Sequence, residues 1–336
     1  MKKLMGLLMS LLLAAGAAGC AAEETPEPTP SATPEVSQVE ADPYQIGLVQ
    51  FKDHTTLNTL REAYMGRLDE WGCGEDQVVI DYQNAQGDQE AAAQICQDFV
   101  EDGVDMIVAI STPAAQAAVE AAAGTDVTVV FAGVTQESDL GLADQDVLAT
   151  GVVSPTAVQS LVDLARQADS ELTTLGLLYD PADPGSKAGA EEAKTYAADQ
   201  GLEVVEQTVS SQEGVEQAMK DLCAQGADAV LTPADNTVAP SAAAAAQAAK
   251  DAKVPWYTGD PAMAQAGALA SYSAPTRELG SQAADMTVEL MGGRTVQDLP
   301  VVTLTGDQLT VNQTTLEALP SLAIPEETLQ TAFLCQ

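Results

Sequence analysis

From residue 43 onward, short runs of apolar residues alternate with longer stretches that have the periodicity of helices. The runs are apolar at nearly every position, which is typical of parallel strands covered by helices on both faces. The first candidate strands are residues 45–51, 77–83, 105–110 and 127–131, and the helices between them are residues 54–71, 88–101 and 113–123. Regular alternation of this kind predicts an α/β fold with open, doubly wound parallel sheets.

A second series of the same kind follows. Its candidate strands are residues 172–179, 202–208, 228–231 and 254–257, and its candidate helices are residues 186–199, 213–225 and 237–251. Residues 102–118 resemble the segment that begins at residue 225, because each has a glycine, an aspartate, a buried strand, a polar turn and an alanine-rich helix. We therefore predict two lobes of one architecture, with chance similarity between alanine-rich units as the alternative.

The segment after Asp260 is too short for a third domain. It contains a short strand at 267–271, an amphipathic helix at 277–291 and β-type stretches at 299–304 and 308–311. Such a segment completes both lobes if the chain crosses between them more than once. We expect residues 44–153 plus about 271–298 in the N-terminal lobe, and residues 154–270 plus about 299–336 in the C-terminal lobe.

The first 20 residues have the pattern of a signal peptide. Lys2 and Lys3 precede an apolar run at 4–15 that is too short for a convincing spanning helix, and small residues lead up to Cys20. The small residues before the cysteine resemble a bacterial lipobox, which implies cleavage before Cys20 and lipidation of its thiol. An ordinary secretory signal is the alternative. Residues 21–43, rich in Pro, Thr and Glu, predict a disordered tether between an extracytoplasmic membrane anchor and the folded body.

The charge and the motifs exclude several classes of function. A formal net charge of −37 repels nucleic acid, so a nucleic-acid partner is excluded. The sequence contains none of the motifs GxSxG, HExxH, GxxxxGK[ST] or GxGxxG after a strand, so we do not expect an enzyme. His54 is the only histidine, and its place after the first strand predicts a helix-start or cleft-rim position.

The cysteines do not predict a metal site. With Cys20 assigned to the anchor, Cys73, Cys96, Cys223 and Cys335 remain, without CxxC or Cys/His metal spacing. Buried thiols are expected at Cys96 and Cys223, and a disulfide between Cys73 and Cys96 stays open. We expect neither a metal nor a cofactor.

Polar residues at the ends of strands are the candidate binding residues, because open α/β sheets bind ligands at the carboxyl ends of their strands. Gln50 and Phe51 close the first strand. Ser111 and Thr112 close the third and precede Pro113, which suits the first position of a helix. Their hydroxyls and the free amides of that helix predict a carboxylate site. Simple capping of the helix by Thr112 is the alternative.

In the second lobe, Asp235 and Asn236 occupy the corresponding turn, and Asp260 closes a later strand. Acidic strand ends facing hydroxyl and amide donors across a cleft fit a zwitterionic amino acid, with its carboxylate on one lobe and its ammonium on the other. Helix capping is the alternative for each aspartate. Phe51 and Tyr179 are candidates to pack on an aromatic side chain, although Tyr179 also fits the core.

Several segments together resemble a known family, the ABC-transporter substrate-binding lipoproteins of the tryptophan/tyrosine-binding type. The matching segments are Tyr-Gln-Ile-Gly-Leu-Val-Gln-Phe-Lys-Asp-His (44–54), Tyr-Gln-Asn-Ala-Gln-Gly-Asp (82–88), Ile-Ser-Thr-Pro-Ala-Ala-Gln (110–116), Leu-Tyr-Asp-Pro (178–181), Pro-Ala-Asp-Asn-Thr (233–237) and Gly-Ala-Leu-Ala-Ser-Tyr (267–272). The resemblance, which runs from about residue 44 to 325, implies the type I periplasmic-binding-protein architecture with two Rossmann-like lobes. It also implies capture of a small ligand, an aromatic amino acid being favoured, and a partner permease and ATPase.

Two segments depart from the family pattern. Residues 134–137 are Val-Thr-Gln-Glu where Val-Thr-Asp-Pro is frequent, and residues 148–151 are Leu-Ala-Thr-Gly where Asn-x-Thr-Gly is frequent. The ligand therefore stays open among aromatic amino acids, branched amino acids, nucleosides and sugars. A surface sensor or adhesin of the same fold is the alternative to import. We expect a monomer.

Overall fold

The computed structural model describes residues 42–336. The predicted signal peptide, Cys20 and nearly all of the predicted tether lie outside the described residues. Within residues 42–336, no helix is both long and apolar enough to cross a membrane.

Two parallel-dominated sheets with helices on both faces form the structure, which confirms the predicted α/β class. The first part of the chain contains β1 (Tyr44–Gln50), α1 (Thr55–Glu70), β2 (Val78–Asn84), α2 (Gln89–Asp102), β3 (Met106–Ile110), α3 (Thr112–Ala122), β4 (Thr128–Val134) and β5 (Leu148–Val153). The middle part contains α4 (Val158–Ala168), β6 (Thr174–Tyr179), α5 (Pro184–Asp199), β7 (Glu203–Thr208), α6 (Val215–Ala224), β8 (Ala229–Thr232), α7 (Ala242–Ala252), β9 (Trp256–Thr258), α8 (Pro261–Gln265) and β10 (Ala270–Ser273). The last part contains α9 (Thr276–Met291), β11 (Val302–Thr303), β12 (Gln308–Asn312), α10 (Gln313–Ala318), α11 (Glu326–Thr331) and β13 (Phe333–Cys335).

The two sheets have equivalent strand orders. The first sheet runs β11-β5-β4-β3-β1-β2, and the second runs β13-β12-β10-β9-β8-β6-β7. Strands β1 to β5 therefore occupy the positions that β6 to β10 occupy in the second sheet, so the two lobes share one architecture. β12 is antiparallel to β10, whereas the other strand pairs are parallel.

The internal similarity seen in the sequence has a structural basis in two aspartates. Oδ2 of Asp105, just before β3, accepts a hydrogen bond of 2.8 Å from the amide of Gln45 in β1. Oδ2 of Asp228, just before β8, accepts bonds of 3.0 and 2.9 Å from the amides of Thr173 and Thr174 at the start of β6. Each aspartate thus ties the central strand of its lobe to the neighbouring strand.

The chain crosses between the lobes three times, at residues 154–157, 274–275 and 304–307. The boundaries differ from the sequence expectation at two places. β10 reaches residue 273 in the second sheet, and β11 pairs with β5 in the first sheet, although residues from about 299 were expected in the C-terminal lobe. The reason is that α9 is followed by one more edge strand for the first sheet before the chain leaves that lobe.

Helix α9 belongs to the first lobe because it packs on α1. Their close approach requires Gly280, since a Cβ there would lie 2.2 Å from the carbonyl oxygen of Leu60. Below this contact, the buried hydroxyl of Tyr64 donates a hydrogen bond of 3.2 Å to Thr287. Residues far apart in sequence therefore form one continuous core in this lobe.

The cysteines in residues 42–336 are free thiols, and no disulfide joins Cys73 to Cys96. Cys96 is buried in α2, as expected, and burial raises the pKa of its thiol to about 12. Cys223 on α6 is half-buried, which differs from the buried thiol expected there.

Candidate functional site

A cleft lies between the lobes, at the carboxyl ends of the strands of both sheets. It holds about 720 Å³ of space, part of it open to solvent. Residues of both lobes and of two of the crossing segments line it. They are His54, Thr56, Leu57, Leu60, Thr112, Gly133, Thr135, Ser154, Pro155, Thr156, Asp183, Ala234, Asp235, Asn236, Gly259, Asp260, Pro261, Ser273, Ala274, Thr276 and Leu279.

The first lobe presents the N-terminal ends of three helices to this cleft. Thr56 lies in the first turn of α1, Thr112 begins α3 and Thr276 begins α9. No described side chain caps any of these three helices. Because the first amides of a helix lack intrahelical acceptors and carry the positive end of its dipole, this wall of the cleft favours an anionic group.

Ser111, the residue before α3, has a strained backbone. Its φ of 94° and ψ of 161° fall in a region that non-glycine residues rarely adopt. The hydroxyls of Ser111 and Thr112 do not cap α3, which removes the capping alternative. Thr112 Oγ1 instead accepts a hydrogen bond of 3.2 Å from the amide of Thr135, and Ser111 Oγ is buried without a partner among residues 42–336.

The second lobe presents carboxylates. Asp235 is only 3% exposed, and each of its oxygens accepts two hydrogen bonds from its own lobe. Oδ1 accepts from the amides of Thr237 and Val238, both at 2.8 Å. Oδ2 accepts from the amide of Asp180 at 2.7 Å and from the hydroxyl of Ser186 at 2.5 Å. Asp235 therefore lines the cleft and also holds together the turns that form its wall.

Asp183, which the sequence reasoning missed, lies beside Asp235. Its Oδ1 caps α5 by accepting from the amides of Gly185 and Ser186 at 3.1 and 3.3 Å. Its Oδ2 accepts from the backbone amide and the side-chain Nδ2 of Asn236 at 3.2 and 2.6 Å. Burial and the neighbouring Asp183 carboxyl raise the pKa of Asp235 to about 6, and burial likewise raises the pKa of Asp183. The second wall thus carries excess negative charge, which favours a cationic group.

Asp260 combines helix capping with a contact across the cleft. Its Oδ1 accepts hydrogen bonds from the amide of Ala262 at 2.8 Å and from Thr56 Oγ1 of the first lobe at 2.6 Å. Both of the hydrogen bonds that the Asp260 carboxylate accepts from residues 42–336 are made to Oδ1. Its other oxygen, Oδ2, is therefore available to a ligand. Among the three carboxylates at the cleft, Asp260 is therefore the best placed to accept a bond from a ligand cation.

Two further contacts join the lobes. His54 Nε2 lies 3.0 Å from Asn236 Oδ1, and Gln89 Nε2 donates a bond of 2.9 Å to the carbonyl oxygen of Ala182. Together with the Thr56–Asp260 bond, these contacts define a closed arrangement of the lobes. His54 also stands at the start of α1 and on the cleft, as its place in the sequence predicts.

The floor of the cleft is aliphatic. Leu57 and Leu60 of α1 and Leu279 of α9 supply its largest apolar side chains. Gly133 of β4 keeps the floor open, since its φ is 67° and a Cβ there would lie 3.0 Å from Leu60 Cδ1. This surface accommodates an apolar or aromatic group between the two polar walls.

Three of the predicted binding residues do not line the cleft. Gln50 is buried in the first lobe. Its side-chain Nε2 donates hydrogen bonds of 2.7 Å to the carbonyl oxygen of Lys52 and 2.8 Å to Oδ1 of Asn58. Phe51 is part of the hydrophobic core of the same lobe. Tyr179 faces β7, and its hydroxyl donates a bond of 2.9 Å to a carboxylate of Glu206. These side chains point away from the cleft even though their strands end beside it.

The other predicted residues are brought to the cleft. Thr112, Asp235, Asn236 and Asp260 line it, and Ser111 is adjacent through Thr112. The sequence contains a signal for Asp183, because an aspartate before a proline is a typical helix start. Thr56 and Leu57 carried no such signal. In residues 42–336, no group of three or more His, Cys, Asp or Glu side chains is arranged to hold a metal ion.

Comparison with known proteins identifies the family to which the chain belongs. The model of the family "ABC transporter substrate binding protein" matches residues 45–335. The chain is 30% identical over 279 residues to a tyrosine-binding protein of Clostridioides difficile strain R20291, covering 82% of this chain and 80% of that protein.

Two solved structures with similar sequences differ in how closely they superimpose on the structure of this chain. A complex with L-Trp from Streptococcus pneumonia is 28% identical, covers 88% of this chain and 100% of its own, and has a TM-score of 0.80. A ligand-free, open structure of a substrate-binding protein with adhesive properties from Clostridium difficile is also 28% identical, covers 87% and 99%, and has a TM-score of 0.64. Since the identities are equal, the higher score agrees with the closed arrangement of the lobes found here.

Proposed function

Because this chain belongs to the ABC transporter substrate-binding proteins, we propose that it captures an aromatic amino acid in the cleft and delivers it to an ABC importer. The lobes close on the ligand, which contacts both of them. Ligand binding therefore shifts the protein towards its closed form.

The opposite chemistry of the two walls carries this proposal. The first lobe offers three helix N-termini that no described side chain caps. The second lobe offers the buried carboxyls of Asp183, Asp235 and Asp260. A zwitterionic amino acid matches this division, with its carboxylate at the helix ends and its ammonium at the aspartates. A sugar or an uncharged nucleoside base uses neither charge.

The floor of the cleft supports an aromatic side chain. The leucines at positions 57, 60 and 279 supply an apolar surface on which a flat ring can pack. The binding of tyrosine by one relative and of L-Trp by another agrees with this choice. Branched amino acids are the alternative for the same apolar floor.

A permease and an ATPase are the partners that import requires, and we propose that the protein works with them as a monomer. Outside the described residues, the N-terminal segment has the pattern of a signal peptide that ends at Cys20. We propose that lipid on Cys20 anchors the protein on the outer side of the cell membrane. Replacement of Cys20 by Ser is expected to release the protein from membranes, and continued membrane association would count against the anchor.

Calorimetry of the purified protein with tyrosine, tryptophan, phenylalanine and leucine tests the ligand. We expect binding of the aromatic amino acids, and at least about tenfold weaker binding after Asp260→Asn, because the amide keeps the size of the side chain but removes the charge. Asp88→Asn is the matched control, since Asp88 caps α2 in the same way and does not line the cleft. Binding of nucleosides or sugars alone would overturn the ligand class.

An adhesive role at the cell surface is a second candidate, because a relative with 28% identity has adhesive properties. This role does not need the cleft. It predicts that the purified protein attaches to host cells equally well with and without the Asp260→Asn substitution, whereas amino-acid uptake depends on the aspartate. Absence of attachment at all would remove this candidate.

A further inference from the structure

The ring of His54 has one nitrogen that is engaged and one that is not. Nε2 lies 3.0 Å from Asn236 Oδ1 across the cleft. Nδ1 is buried and has no hydrogen-bond partner among residues 42–336. Leaving a buried polar atom unpaired is unfavourable, so an unpaired Nδ1 beside a ligand cleft points to a partner on the ligand.

The neighbours of His54 determine what that partner must be. Asn236 donates from Nδ2 to Asp183 at 2.6 Å, so its Oδ1 faces His54 and can only accept. His54 Nε2 therefore carries the proton. In the neutral ring this leaves Nδ1 as a lone-pair acceptor. The ligand atom that meets Nδ1 must be a hydrogen-bond donor.

We propose that His54 is the residue that selects among aromatic ligands, by accepting a hydrogen bond from a donor on the ligand ring. The donor is the phenol hydroxyl of tyrosine or the indole N–H of tryptophan. Phenylalanine, which has no ring donor, leaves Nδ1 unpaired and binds more weakly. This inference rests on the proposed capture of an aromatic amino acid.

The position of His54 in the cleft favours the ligand ring over the ligand ammonium. His54 lines the cleft immediately before α1, and Leu57, three residues later, belongs to the apolar floor that accommodates the ring. The ammonium has stronger partners in the carboxyls of the opposite lobe, above all Asp260 Oδ2. A ring packed on Leu57 therefore brings its polar edge to Nδ1.

Two substitutions distinguish the roles of the two ring nitrogens of His54. His54→Gln places an amide nitrogen where Nε2 stands, which keeps the donor to Asn236 but removes the acceptor at Nδ1. His54→Asn places an amide oxygen where Nδ1 stands, which keeps that acceptor but loses the bond to Asn236. The affinities of the wild type and both variants for L-tyrosine, L-tryptophan and L-phenylalanine are measured by calorimetry at about pH 8.

We expect the wild type to prefer tyrosine or tryptophan over phenylalanine by at least about tenfold. His54→Gln reduces this ratio to about one, chiefly by weakening the ligand with the ring donor. His54→Asn keeps most of the ratio while weakening all three ligands alike, because it loosens the closed form.

An equal loss for all three ligands in His54→Gln would assign His54 to the common ammonium and overturn the inference. An unchanged ratio in His54→Gln, or a wild type that binds phenylalanine as well as tyrosine and tryptophan, would overturn it as well. These results leave the proposed function standing. A wild type that binds none of the three amino acids overturns the proposed function itself, and the role of His54 falls with it.

Discussion

The hydroxyl of Thr56 donates a hydrogen bond of 2.6 Å to Oδ1 of Asp260, although the two residues lie 204 positions apart and in different lobes. Because the bond joins the two lobes across the cleft, we expect opening of the cleft to break it. It therefore contributes to the balance between the open and closed forms, in addition to any contact with a ligand.

Replacement of Thr56 by Val is expected to weaken ligand binding by about tenfold, because a hydrogen bond to a charged group contributes about 1.5–3 kcal/mol and the variant loses it only in the closed form. Calorimetry gives the affinity, and small-angle X-ray scattering gives the radius of gyration of the free protein, which we expect to rise. Thr56→Ser keeps the hydroxyl and serves as the control. Equal affinities of Thr56→Val and the wild type would contradict a role in closure.

Replacement of Gly185 by Ala is expected to hold the lobes apart. A Cβ at Gly185, in α5 of the second lobe, would lie 2.3 Å from Thr135 Oγ1 and 3.1 Å from Thr112 Oγ1 of the first lobe. Neither lobe has to unfold to relieve this overlap, since opening of the cleft is enough. We expect at least about tenfold weaker ligand binding, equivalent to about 1.4 kcal/mol, with little change in thermal stability.

The matched control is Gly66→Ala, because nothing lies within 4 Å of a Cβ at that position in α1. It is expected to bind ligand as the wild type does and to be slightly more stable, as alanine favours helices more than glycine. Scattering profiles of both variants with and without ligand check the result. A compact, ligand-bound profile for Gly185→Ala would show that the interface adapts.

The buried pair Asp183 and Asp235 predicts an unusual dependence of stability on pH. The folded protein raises the pKa of Asp235 to about 6, whereas an aspartate in an unfolded chain titrates near about 3.9. The folded state therefore binds more protons than the unfolded state between these values. The contribution of this carboxyl to the free energy of unfolding is fully present below about pH 4 and is lost as the pH rises through about 6, on the order of 2–3 kcal/mol in total.

Urea unfolding of the wild type and of Asp235→Asn at several pH values between about 4 and 7 measures this effect. The asparagine does not titrate, and acidic groups common to both proteins cancel in the difference. We expect the advantage of the wild type over the variant to grow as the pH falls. Asparagine also turns one amide donor towards the amide of Asp180, so the variant is less stable at every pH. A constant difference across this range would contradict the raised pKa.

The backbone conformation of Ser111 predicts that a glycine variant is more stable than an alanine variant, the reverse of the usual order of stability. Glycine adopts a φ of 94° without strain, whereas alanine and serine do not. Ser111→Gly is therefore expected to be more stable than Ser111→Ala by about 1 kcal/mol, against the usual preference for alanine. Thermal and urea unfolding of both variants check this. Equal stabilities, or a more stable alanine variant, would show that the backbone at residue 111 relaxes.

Much of the fold could be predicted from the sequence because the core strands are continuously apolar. β1, β3 and β8, for example, stand where their apolar runs indicate. β5 was missed as a strand because its Leu-Ala-Thr-Gly start has no such run. β11 was expected in the other lobe, since two residues cannot specify which sheet edge they join.

The site could be predicted for residues whose place at the end of a strand is enough to bring the side chain to the cleft. Asp235 and Asp260 follow buried strands and cap the segments after them, so their backbones direct them to the cleft. For Gln50 and Tyr179, the side of the strand end on which the side chain lies depends on packing against neighbouring strands and helices. The sequence contains no local signal for that choice. His54 and Thr56 acquire their partners only when the second lobe is placed opposite α1.

The packing of α9 on α1 has a consequence for the order in which the chain is made. The first lobe is built from two stretches that are separated by most of the second lobe. During synthesis, the face of α1 that receives Gly280 stays uncovered until α9 leaves the ribosome, when β6 to β10 have already emerged. The lobe that begins first is thus completed late, and its closure waits for contacts between residues very distant in sequence, which form slowly.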